Sequence, residues 1–295
     1  ASDVYKRQHL VAAIDHNPEV RPVLGLFEGV VSGAADGYAR MSGKSAANLL
    51  HLGPGLGNAF ANIHNAKKAF SPMINIVGDH ASYHLKHNAP LTSDLDGLAK
   101  SSSDWVKRVS SPEQITQCAS DAWKAANEFP GNIATLVVPA DYAWSNIKPE
   151  LPKKVELNNR KSVDNKLIEA AYKLLLKPNS MLYLGGKFLD EECLKFAAQI
   201  ATKTGCRLVT DTFVSRIRRG AGLPIVQQVP YFSEMAEDFL QGTESIVFIG
   251  TKPPVSFFAY PDKKSFLSPD EAELFELCSV EENGYEALAL SLIHI

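Results

Sequence analysis

Short apolar runs alternate with segments of helical pattern through the first half of the sequence. Apolar runs separated in this way are typical of strands in a parallel sheet that is covered by helices on both faces. The predicted strands are Val23 to Phe27, Ala46 to His51, Met73 to Gly78, Trp105 to Val109 and Ile133 to Pro139. The predicted helices are Gly29 to Met41, Leu56 to Phe70 and Pro112 to Glu128. The alternation predicts an α/β fold built on an open, mostly parallel sheet.

A polar segment separates this series from a second one. Residues 145–165, SNIKPELPKKVELNNRKSVDN, contain two prolines, several charges and no aromatic residue, which is typical of a linker. The second series has predicted strands at Met181 to Leu184, Arg207 to Thr210 and Ile246 to Ile249, and predicted helices at Asp164 to Leu176, Glu191 to Thr204 and Tyr231 to Leu240. We therefore expect a first domain over residues 1–145, a linker over 146–165 and a second α/β domain over 166–295.

Composition and charge exclude several classes of protein. With 45% hydrophobic residues, 21% charged residues and a net charge of −3, the sequence has no basic field for nucleic acid or an anionic membrane surface. No apolar run reaches the roughly 18 residues of a membrane span, and the N-terminus lacks a signal-peptide pattern. The four cysteines are far apart and form no CxxC pair, so neither a zinc site nor a disulfide framework is predicted. A reducing cytoplasm is the expected location.

Both ends of the sequence are unusual. ASDVYKRQ at the start and SLIHI at the end resemble translated sequencing-adapter sequence. We therefore expect a fragment of a longer reading frame, and both ends are left out of the fold prediction.

Small residues dominate the segment GLFEGVVSGAADGYARMSGK, residues 25–44. Gly29, Gly33 and Gly37 are four residues apart and would share one face of a helix. Each glycine in a helix interior costs about 1 kcal/mol relative to alanine, so three on one face indicate close approach of another backbone. That neighbour could be a helix of the same domain, a partner subunit or a cofactor.

A single carboxylate, Glu28, lies between the predicted strand and this helix. The carboxyl ends of strands in open α/β sheets are where ligands bind. Because Phe27 and Val30 beside it are apolar, we expect a poorly hydrated carboxylate with a raised pKa, suited to proton transfer. The alternative is a charge that only complements the helix dipole, worth roughly a few tenths of a kcal/mol.

A glycine-rich stretch, LLHLGPGLGNAFANIHNA, follows at residues 49–66. Gly53, Gly55 and Gly57 before a helix suggest a dinucleotide-binding loop, with Asp79 as the acid that would bind a ribose. The spacing is GxGxG rather than GxGxxG, and Pro54 stiffens the turn. A nucleotide-binding module without catalysis is therefore an alternative of a different class.

Together, FEGVVSGAADGYARMSGK, GPGLGNAFANIHNA and SPMINIVGD resemble the pyrimidine-binding domain of thiamine-diphosphate enzymes. The most similar families are the acetolactate synthase large subunits and the benzoylformate decarboxylases. The ordered motifs span about a third of the chain, and LLLKPNSMLYLGG and ESIVFIGTKPP more weakly resemble the Rossmann-like central domain. The resemblance implies thiamine diphosphate as cofactor and a 2-oxo acid as substrate.

Within this resemblance, Glu28 falls on the family's catalytic glutamate, whose carboxylate hydrogen-bonds N1′ of the aminopyrimidine. The Gly53-Pro54-Gly55 loop would let the backbone approach the pyrimidine, and Asn58 would secure that loop. These roles are implied by the resemblance, not by spacing.

The histidines divide into two groups. In acetolactate synthases, the sequence around the position of His51 resembles Thr-Ser-Gly-Pro-Gly. Benzoylformate decarboxylases have a histidine there that acts on the substrate, so the resemblance implies a substrate-facing role for His51. The alternative is that His51 is a structural histidine. His80 replaces the glutamine of the synthases' Gly-Gln motif and is also expected to face the substrate. His64, His84 and His87 are interpreted as surface or structural residues.

Several family features are absent from the sequence. The Gly-Asp-Gly motif and downstream asparagine, which bind the diphosphate through Mg²⁺ in a third domain, do not occur, so no metal ligand is predicted in this chain. The synthases' flavin contacts are missing from residues 205–260, which disfavours FAD. We expect half of an active site that is inactive alone. The full-length parent would be a homodimer or homotetramer, acetolactate synthase-like and serving branched-chain amino acid biosynthesis, or alternatively a benzoylformate-type decarboxylase.

Overall fold

The structure, a computed structural model, describes residues 2–148, 152 and 154–293. Residues 1, 149–151, 153, 294 and 295, which belong to the two unusual termini and to the predicted linker, lie outside the described residues. The chain divides into two compact units, residues 1–158 and 159–295. The boundary between them falls inside the segment that the sequence predicts as a linker.

The first unit is built on a four-stranded parallel sheet with the strand order β1-β2-β4-β3. Its helices and strands, in chain order, are α1 (Ser2–Asp15), α2 (Glu28–Ser42), β1 (Ala46–His51), α3 (Leu52–Lys68), β2 (Met73–Asp79), α4 (Leu95–Ser102), β3 (Trp105–Arg108), α5 (Ile115–Asn127), β4 (Ile133–Pro139) and α6 (Ala140–Ala143). Short 3₁₀ turns cover Leu85–His87 and Pro112–Gln114. The strand β4 is buried along its whole length, as expected for a strand covered on both faces.

The strand register brings the ends of β1 and β2 to the same edge of the sheet. His51 pairs with Gly78, and Asp79 in turn pairs with Pro139 at the end of β4. The residues that follow these strands therefore meet at one carboxyl edge, where ligand sites of open α/β sheets lie.

A row of buried polar side chains crosses the middle of this sheet. Asn48 donates to Asn75 Oδ1 over 2.9 Å, and Asn75 donates to Thr135 Oγ1 over 3.2 Å. Ser103 completes the row with a hydroxyl contact of 2.7 Å to Thr135. Each group finds its partner on a neighbouring element, so the sheet interior carries amides without leaving these side chains unpaired.

The predicted strand Val23 to Phe27 is wrong. This segment pairs with no strand in the described part of the chain, and Leu24 and Leu26 are 88% and 95% exposed. Pro22 lacks a backbone N–H donor, and a glycine such as Gly25 weakens the interior of a strand. The apolar side chains alone were therefore not sufficient for this segment to hydrogen-bond to a sheet as a strand.

Other helix boundaries differ from prediction by a few residues. α3 begins at Leu52 rather than Leu56, because the first turn of a helix tolerates a proline. The segment from Pro112 begins with a 3₁₀ turn before α5. The sequence analysis did not predict three short or terminal helices of the first unit, α1, α4 and α6. It also did not predict the elements of the second unit at Gln227–Gln228, Glu273–Cys278 and Gly284–Ser291.

The second unit is a five-stranded parallel sheet with the strand order β7-β6-β5-β8-β9. Its elements are α7 (Asn165–Leu175), β5 (Met181–Leu184), α8 (Glu191–Thr204), β6 (Arg207–Thr210), β7 (Gln227–Gln228), α9 (Ser233–Leu240), β8 (Ser245–Ile249), β9 (Glu273–Cys278) and α10 (Gly284–Ser291). The strand order reverses between β5 and β8, which is a topological switch point.

Two all-parallel sheets confirm the predicted α/β fold class. All four cysteines are buried and free. Within the residues that the structure describes, no helix is both long and apolar enough to span a membrane.

Candidate active site

Glu28 is the first residue of α2 and faces the start of α3. Its preceding residue, Phe27, has extended backbone angles (φ −152°, ψ 138°), which turns the chain into the helix. Glu28 Oε2 accepts a hydrogen bond from Asn58 Nδ2 over 3.1 Å. Glu28 Oε1 has no hydrogen-bond partner among the described residues. One oxygen is therefore anchored and the other is available.

Glu28 is less buried than the sequence predicted. The side chain is half-buried, because Phe27 and Val30 turn outward and are 50% and 61% exposed. The apolar neighbours that suggested a dry pocket do not cover the carboxylate in this chain.

Gly55 lies directly against this carboxylate. A Cβ atom at Gly55 would lie 3.2 Å from Glu28 Oε1 and 3.4 Å from His51 Cβ. The missing side chain leaves space beside the available oxygen of Glu28. We call this space, between Gly55, Glu28 Oε1 and His51, the Gly55 cradle. Any residue larger than glycine at position 55 would narrow it.

The small face of α2 packs on α3, as one of the alternatives predicted. Asn62 Nδ2 donates to the carbonyl oxygen of Gly29 over 2.6 Å, and its amide lies 3.4 Å from the Cβ position of Gly33. Gly37 meets no atom within 4 Å of its Cβ position, so the stripe is only partly covered. Asn62 was missed by the sequence analysis, although its spacing of four from Asn58 places both amides on one helix face.

The segment Gly53-Pro54-Gly55 is the first turn of α3 rather than a loop. Leu52 before it is buried and has φ +53°, a left-handed conformation that costs a non-glycine residue free energy and is concentrated at functional sites. A Cβ at Gly53 would collide with Ser93 Oγ, which explains this glycine. The resemblance led us to expect that Asn58 secures this segment as a loop; in the structure the Asn58 side chain donates to Glu28 instead.

His51 is the last residue of β1 and precedes α3. It is partly buried and adjoins Gly55, close to Glu28. The structure therefore brings Glu28, His51, Gly55 and Asn58 together, as the motif order suggested. The role of His51 toward a substrate stays a prediction.

His80 follows β2 at the same sheet edge, but its side chain is 4% exposed. Its ring lies 5.5 Å from the ring of His84, and His84 lies 5.7 Å from His87. Because the ring of His80 is buried in this chain, a substrate could not reach it here. The burial of His80 therefore does not support the prediction that it faces the substrate. His64, His84 and His87 are exposed, in agreement with a surface position.

Asp79 is engaged in a salt bridge. Its Oδ2 lies 2.6 Å from Arg108 Nη1, and Arg108 Nε lies 3.0 Å from Asp96 Oδ2. Burial acts to lower the pKa of Arg108, but the hydrogen bonds to both carboxylates outweigh it and hold that pKa above its ordinary value. Asp79 Oδ1 also accepts from the backbone N–H of His80, so both oxygens are occupied within the protein.

Among the described residues, no group of three or more histidine, cysteine, aspartate or glutamate side chains is arranged to hold a metal ion. The described site therefore consists of a carboxylate, an amide, a glycine cradle and a histidine.

Known proteins resemble this chain in sequence. Residues 6–99 match the family described as "Thiamine pyrophosphate enzyme, N-terminal TPP binding domain". The "Putative acetolactate synthase large subunit IlvX" of Mycobacterium tuberculosis is 43% identical over 97% of this chain and 54% of its own length. The benzoylformate decarboxylase of Pseudomonas aeruginosa is 30% identical over 46% of this chain and 26% of its own length.

The fold also has solved relatives. The thiamine diphosphate-dependent 4-hydroxybenzoylformate decarboxylase of Rhodococcus jostii superposes with a TM-score of 0.83 at 20% identity, covering 98% of this chain and 57% of that one. The chain thus spans about half the length of these full-length relatives. The resemblance predicted from the sequence is confirmed, because residues 6–99 match the N-terminal TPP-binding domain of thiamine pyrophosphate enzymes and the relatives include acetolactate synthase large subunits and a benzoylformate decarboxylase.

Proposed function

We propose that the first unit supplies the pyrimidine-binding half of a thiamine diphosphate site in an acetolactate synthase-like enzyme. Such an enzyme decarboxylates a 2-oxo acid and joins the product to a second carbonyl compound. The carrying observation is that Asn58 anchors Glu28 Oε2 while Glu28 Oε1 opens onto the Gly55 cradle. The 43% identity to the M. tuberculosis protein supports the synthase-like assignment.

The residues present fit the aminopyrimidine of the cofactor. When bound, the cofactor supplies the carbanion chemistry. Glu28 Oε1 would share a proton with N1′ of the ring, and Asn58 would keep the carboxylate in one orientation. The absence of a side chain at Gly55 would let the flat ring lie close to the first turn of α3.

Other parts of the site belong to residues that this chain does not contain. We assign the diphosphate and Mg²⁺ to a further domain, and the complete site to a homodimer or homotetramer. We also propose that this enzyme is cytoplasmic and serves branched-chain amino acid biosynthesis. No flavin role is proposed.

A benzoylformate-type decarboxylase is the second candidate. The observation that favours it is His51, which adjoins Gly55 at the end of β1 and near Glu28. At that position a histidine could donate a proton to a substrate carboxylate or carbanion. The two candidates differ in whether the carbanion is protonated or joined to a second carbonyl compound.

A nucleotide-binding module is less well supported. Its glycine loop is the first turn of a helix, and its ribose-binding acid, Asp79, is occupied by Arg108 and a backbone N–H. An acid that must bind a ribose needs a free acceptor oxygen.

Calorimetric titration of this chain with thiamine diphosphate, with and without Mg²⁺, tests the cofactor assignment. We expect weak binding with little dependence on Mg²⁺, because charge-assisted contacts to the diphosphate supply the strong interactions. Tight binding that requires Mg²⁺ would show that a diphosphate site lies within the chain. Binding of NAD in preference to thiamine diphosphate would favour the nucleotide module.

The catalytic assignment is tested in a protein of the relatives' full length. Glu28→Gln preserves shape and can still accept from Asn58, but cannot share a proton in the same way. We expect turnover of pyruvate or benzoylformate to fall by about 10²-fold or more. Asp36→Asn, on the same helix and paired with Arg40 over 2.8 Å, is the matched control and should retain turnover. Equal loss in both variants would contradict the role of Glu28.

A further inference from the structure

A second cleft lies in the second unit, far in sequence from the motifs used above. It has a volume of about 280 Å³ and opens where β5, β6 and β8 end. This is the carboxyl edge of the sheet beside its topological switch point, where open α/β sheets bind ligands. The residues that matter most for its chemistry are Asp211, Phe213, Tyr231, Thr251, Lys252 and Phe257.

The floor of the cleft carries a carboxylate with neutral partners only. Asp211 accepts from Thr251 Oγ1 over 2.7 Å and from Tyr183 Oη over 3.1 Å. No cation lies within ion-pair distance of Asp211 in the part of the chain that the structure describes. Burial raises the pKa of Asp211, although the two hydroxyl hydrogen bonds oppose this effect. A carboxylate that is largely withdrawn from solvent without a cation disfavours folding, so its presence calls for a function.

Gly185 shows that this arrangement depends on a small residue. A Cβ atom there would lie 3.1 Å from Asp211 Oδ2 and would crowd Thr251. The missing side chain allows the end of β5 to approach the paired Asp211 and Thr251.

Three aromatic rings form one wall of the cleft. Phe213, Tyr231 and Phe257 have ring centroids 5.5 to 5.9 Å apart, within the range of favourable aromatic pairs. They are 65%, 43% and 59% exposed, which is unusual for a cluster of large apolar side chains. Such a wall attracts apolar groups and, through the ring faces, cations.

Lys252 lines the same cleft and is exposed. No carboxylate pairs with Lys252 among the described residues. The cleft therefore offers an unpaired negative group, an unpaired positive group and an aromatic wall.

A nucleotide fits this cleft less well. In nucleotide-binding α/β sheets, the helix after the first strand receives the phosphates at its amino end. Here that helix, α8, is capped by Asp190 and has Glu191 and Glu192 in its first turn, and these carboxylates repel phosphate. The cleft volume of about 280 Å³ also lies just below the usual range for ligand pockets, roughly 300–1,000 Å³.

We propose that this cleft binds a zwitterionic α-amino acid with an aromatic or other apolar side chain. The ammonium group pairs with Asp211, the carboxylate pairs with Lys252, and the side chain packs on Phe213, Tyr231 and Phe257. This site is independent of the thiamine diphosphate proposal, because it uses no residue of the first unit.

Calorimetric titration of the chain with three related probes tests the proposal. L-Phenylalanine carries both charges, 2-phenylethylamine lacks the carboxylate, and 3-phenylpropanoate lacks the ammonium group. We expect L-phenylalanine to bind at least tenfold more tightly than either analogue. Equal or tighter binding of 3-phenylpropanoate, preference for AMP, or no binding of L-phenylalanine would overturn the proposal.

Variants assign each charge to its residue. Asp211→Asn should weaken L-phenylalanine and 2-phenylethylamine at least tenfold, and Lys252→Met should weaken L-phenylalanine but not 2-phenylethylamine. Tyr231→Ala removes an exposed ring, so it should lower the affinity for L-phenylalanine without disturbing the fold. This variant replaces Asp211→Asn in the test if Asp211→Asn does not fold. Glu276→Gln, an exposed carboxylate on β9, is the matched control and should bind as the parent does. Unchanged affinity in both Asp211→Asn and Tyr231→Ala would overturn the assignment.

Discussion

Asn58 Nδ2 donates a 3.1 Å hydrogen bond to Glu28 Oε2 across a separation of 30 residues. This contact joins the first turn of α2 to the second turn of α3, and these two helices carry two of the three motifs on which the resemblance rests. The second oxygen of the same carboxylate adjoins Gly55. The pair therefore ties the position of the candidate catalytic carboxylate to the packing of two helices.

Gly55→Ala should impair function more than stability. The new Cβ would lie 3.2 Å from Glu28 Oε1, so the carboxylate must shift, while alanine favours a helix by up to about 1 kcal/mol. We expect a change in Tm of a few degrees at most and a clear loss of turnover in a protein of the relatives' full length. Thermal unfolding and a 2-oxo acid assay measure the two effects.

Gly57→Ala is the matched control for that variant. Gly57 is exposed in the same helix and its Cβ position meets no atom within 4 Å. We expect a gain of about 0.5–1 kcal/mol in stability with turnover retained. If both variants lose turnover equally, the space beside Glu28 is not the cause.

Asn75→Ala should destabilise the first unit through its buried polar row. The change leaves the amide of Asn48 without its partner in the sheet interior and leaves the hydroxyl of Thr135 with Ser103 only. Each unpaired buried group costs about 1–3 kcal/mol, so we expect a loss of about 2 kcal/mol or more in urea unfolding. The same substitution at exposed Asn65 should change stability by less than about 0.5 kcal/mol. A loss at Asn75 as small as at Asn65 would contradict the role of the row.

Asp211→Asn should stabilise the protein at neutral pH. Because the folded state raises the pKa of Asp211 above its ordinary value of 3.8, the folded state holds this proton more tightly than the unfolded chain. That favourable contribution is present below pH 3.8 and is lost as pH rises through the folded pKa, where the partly buried carboxylate becomes charged.

The difference in Tm between Asp211→Asn and the parent should therefore be positive at pH 7 and shrink as pH falls toward 4. Differential scanning calorimetry at several pH values measures this difference, with roughly 2–4 °C expected per kcal/mol. A lower Tm for the variant at pH 7 would mean that the hydrogen bonds to Tyr183 and Thr251 outweigh the burial of the charge.

The cysteine thiols should react slowly in the native protein. All four thiols are buried. Burial is the main reason that the pKa values of Cys193 and Cys206 are raised, and it also raises the pKa of Cys278 to about 12. Only the thiolate reacts, so labelling by a thiol reagent at pH 8 should be at least tenfold slower than in concentrated guanidinium chloride. Rapid labelling of one or more thiols in the native protein would show that part of the core opens readily.

Local pattern was sufficient for most of the secondary structure. The apolar runs at β1, β2, β4, β5, β6 and β8 and the helical patterns between them were predicted within a few residues, because burial on both faces leaves a strong signal in the sequence. The order of Glu28, the glycine stretch and β2 also predicted the resemblance to thiamine pyrophosphate enzymes, which the match over residues 6–99 confirms.

Tertiary structure decided what depends on residues far apart in the chain. Val23 to Phe27 has a strand-like composition but no neighbouring strand among the described residues, so the ladder did not form. Gly53 to Gly55 has a loop-like composition, but its small residues accommodate Ser93 and Glu28 within a helix. Exposure likewise separated His51 from His80, although both follow strands at the same sheet edge.

The cleft of the second unit had no signal in the sequence. Asp211, Thr251 and Tyr231 lie on three different connections and converge only when β5, β6 and β8 pair in parallel. Sequence alone determined which residues could form strands, helices and a catalytic carboxylate, since these follow from local composition and motif order. The partners of each polar group were decided only by folding, because hydrogen bonds and ion pairs form between side chains that the sheet brings within about 3 Å of each other.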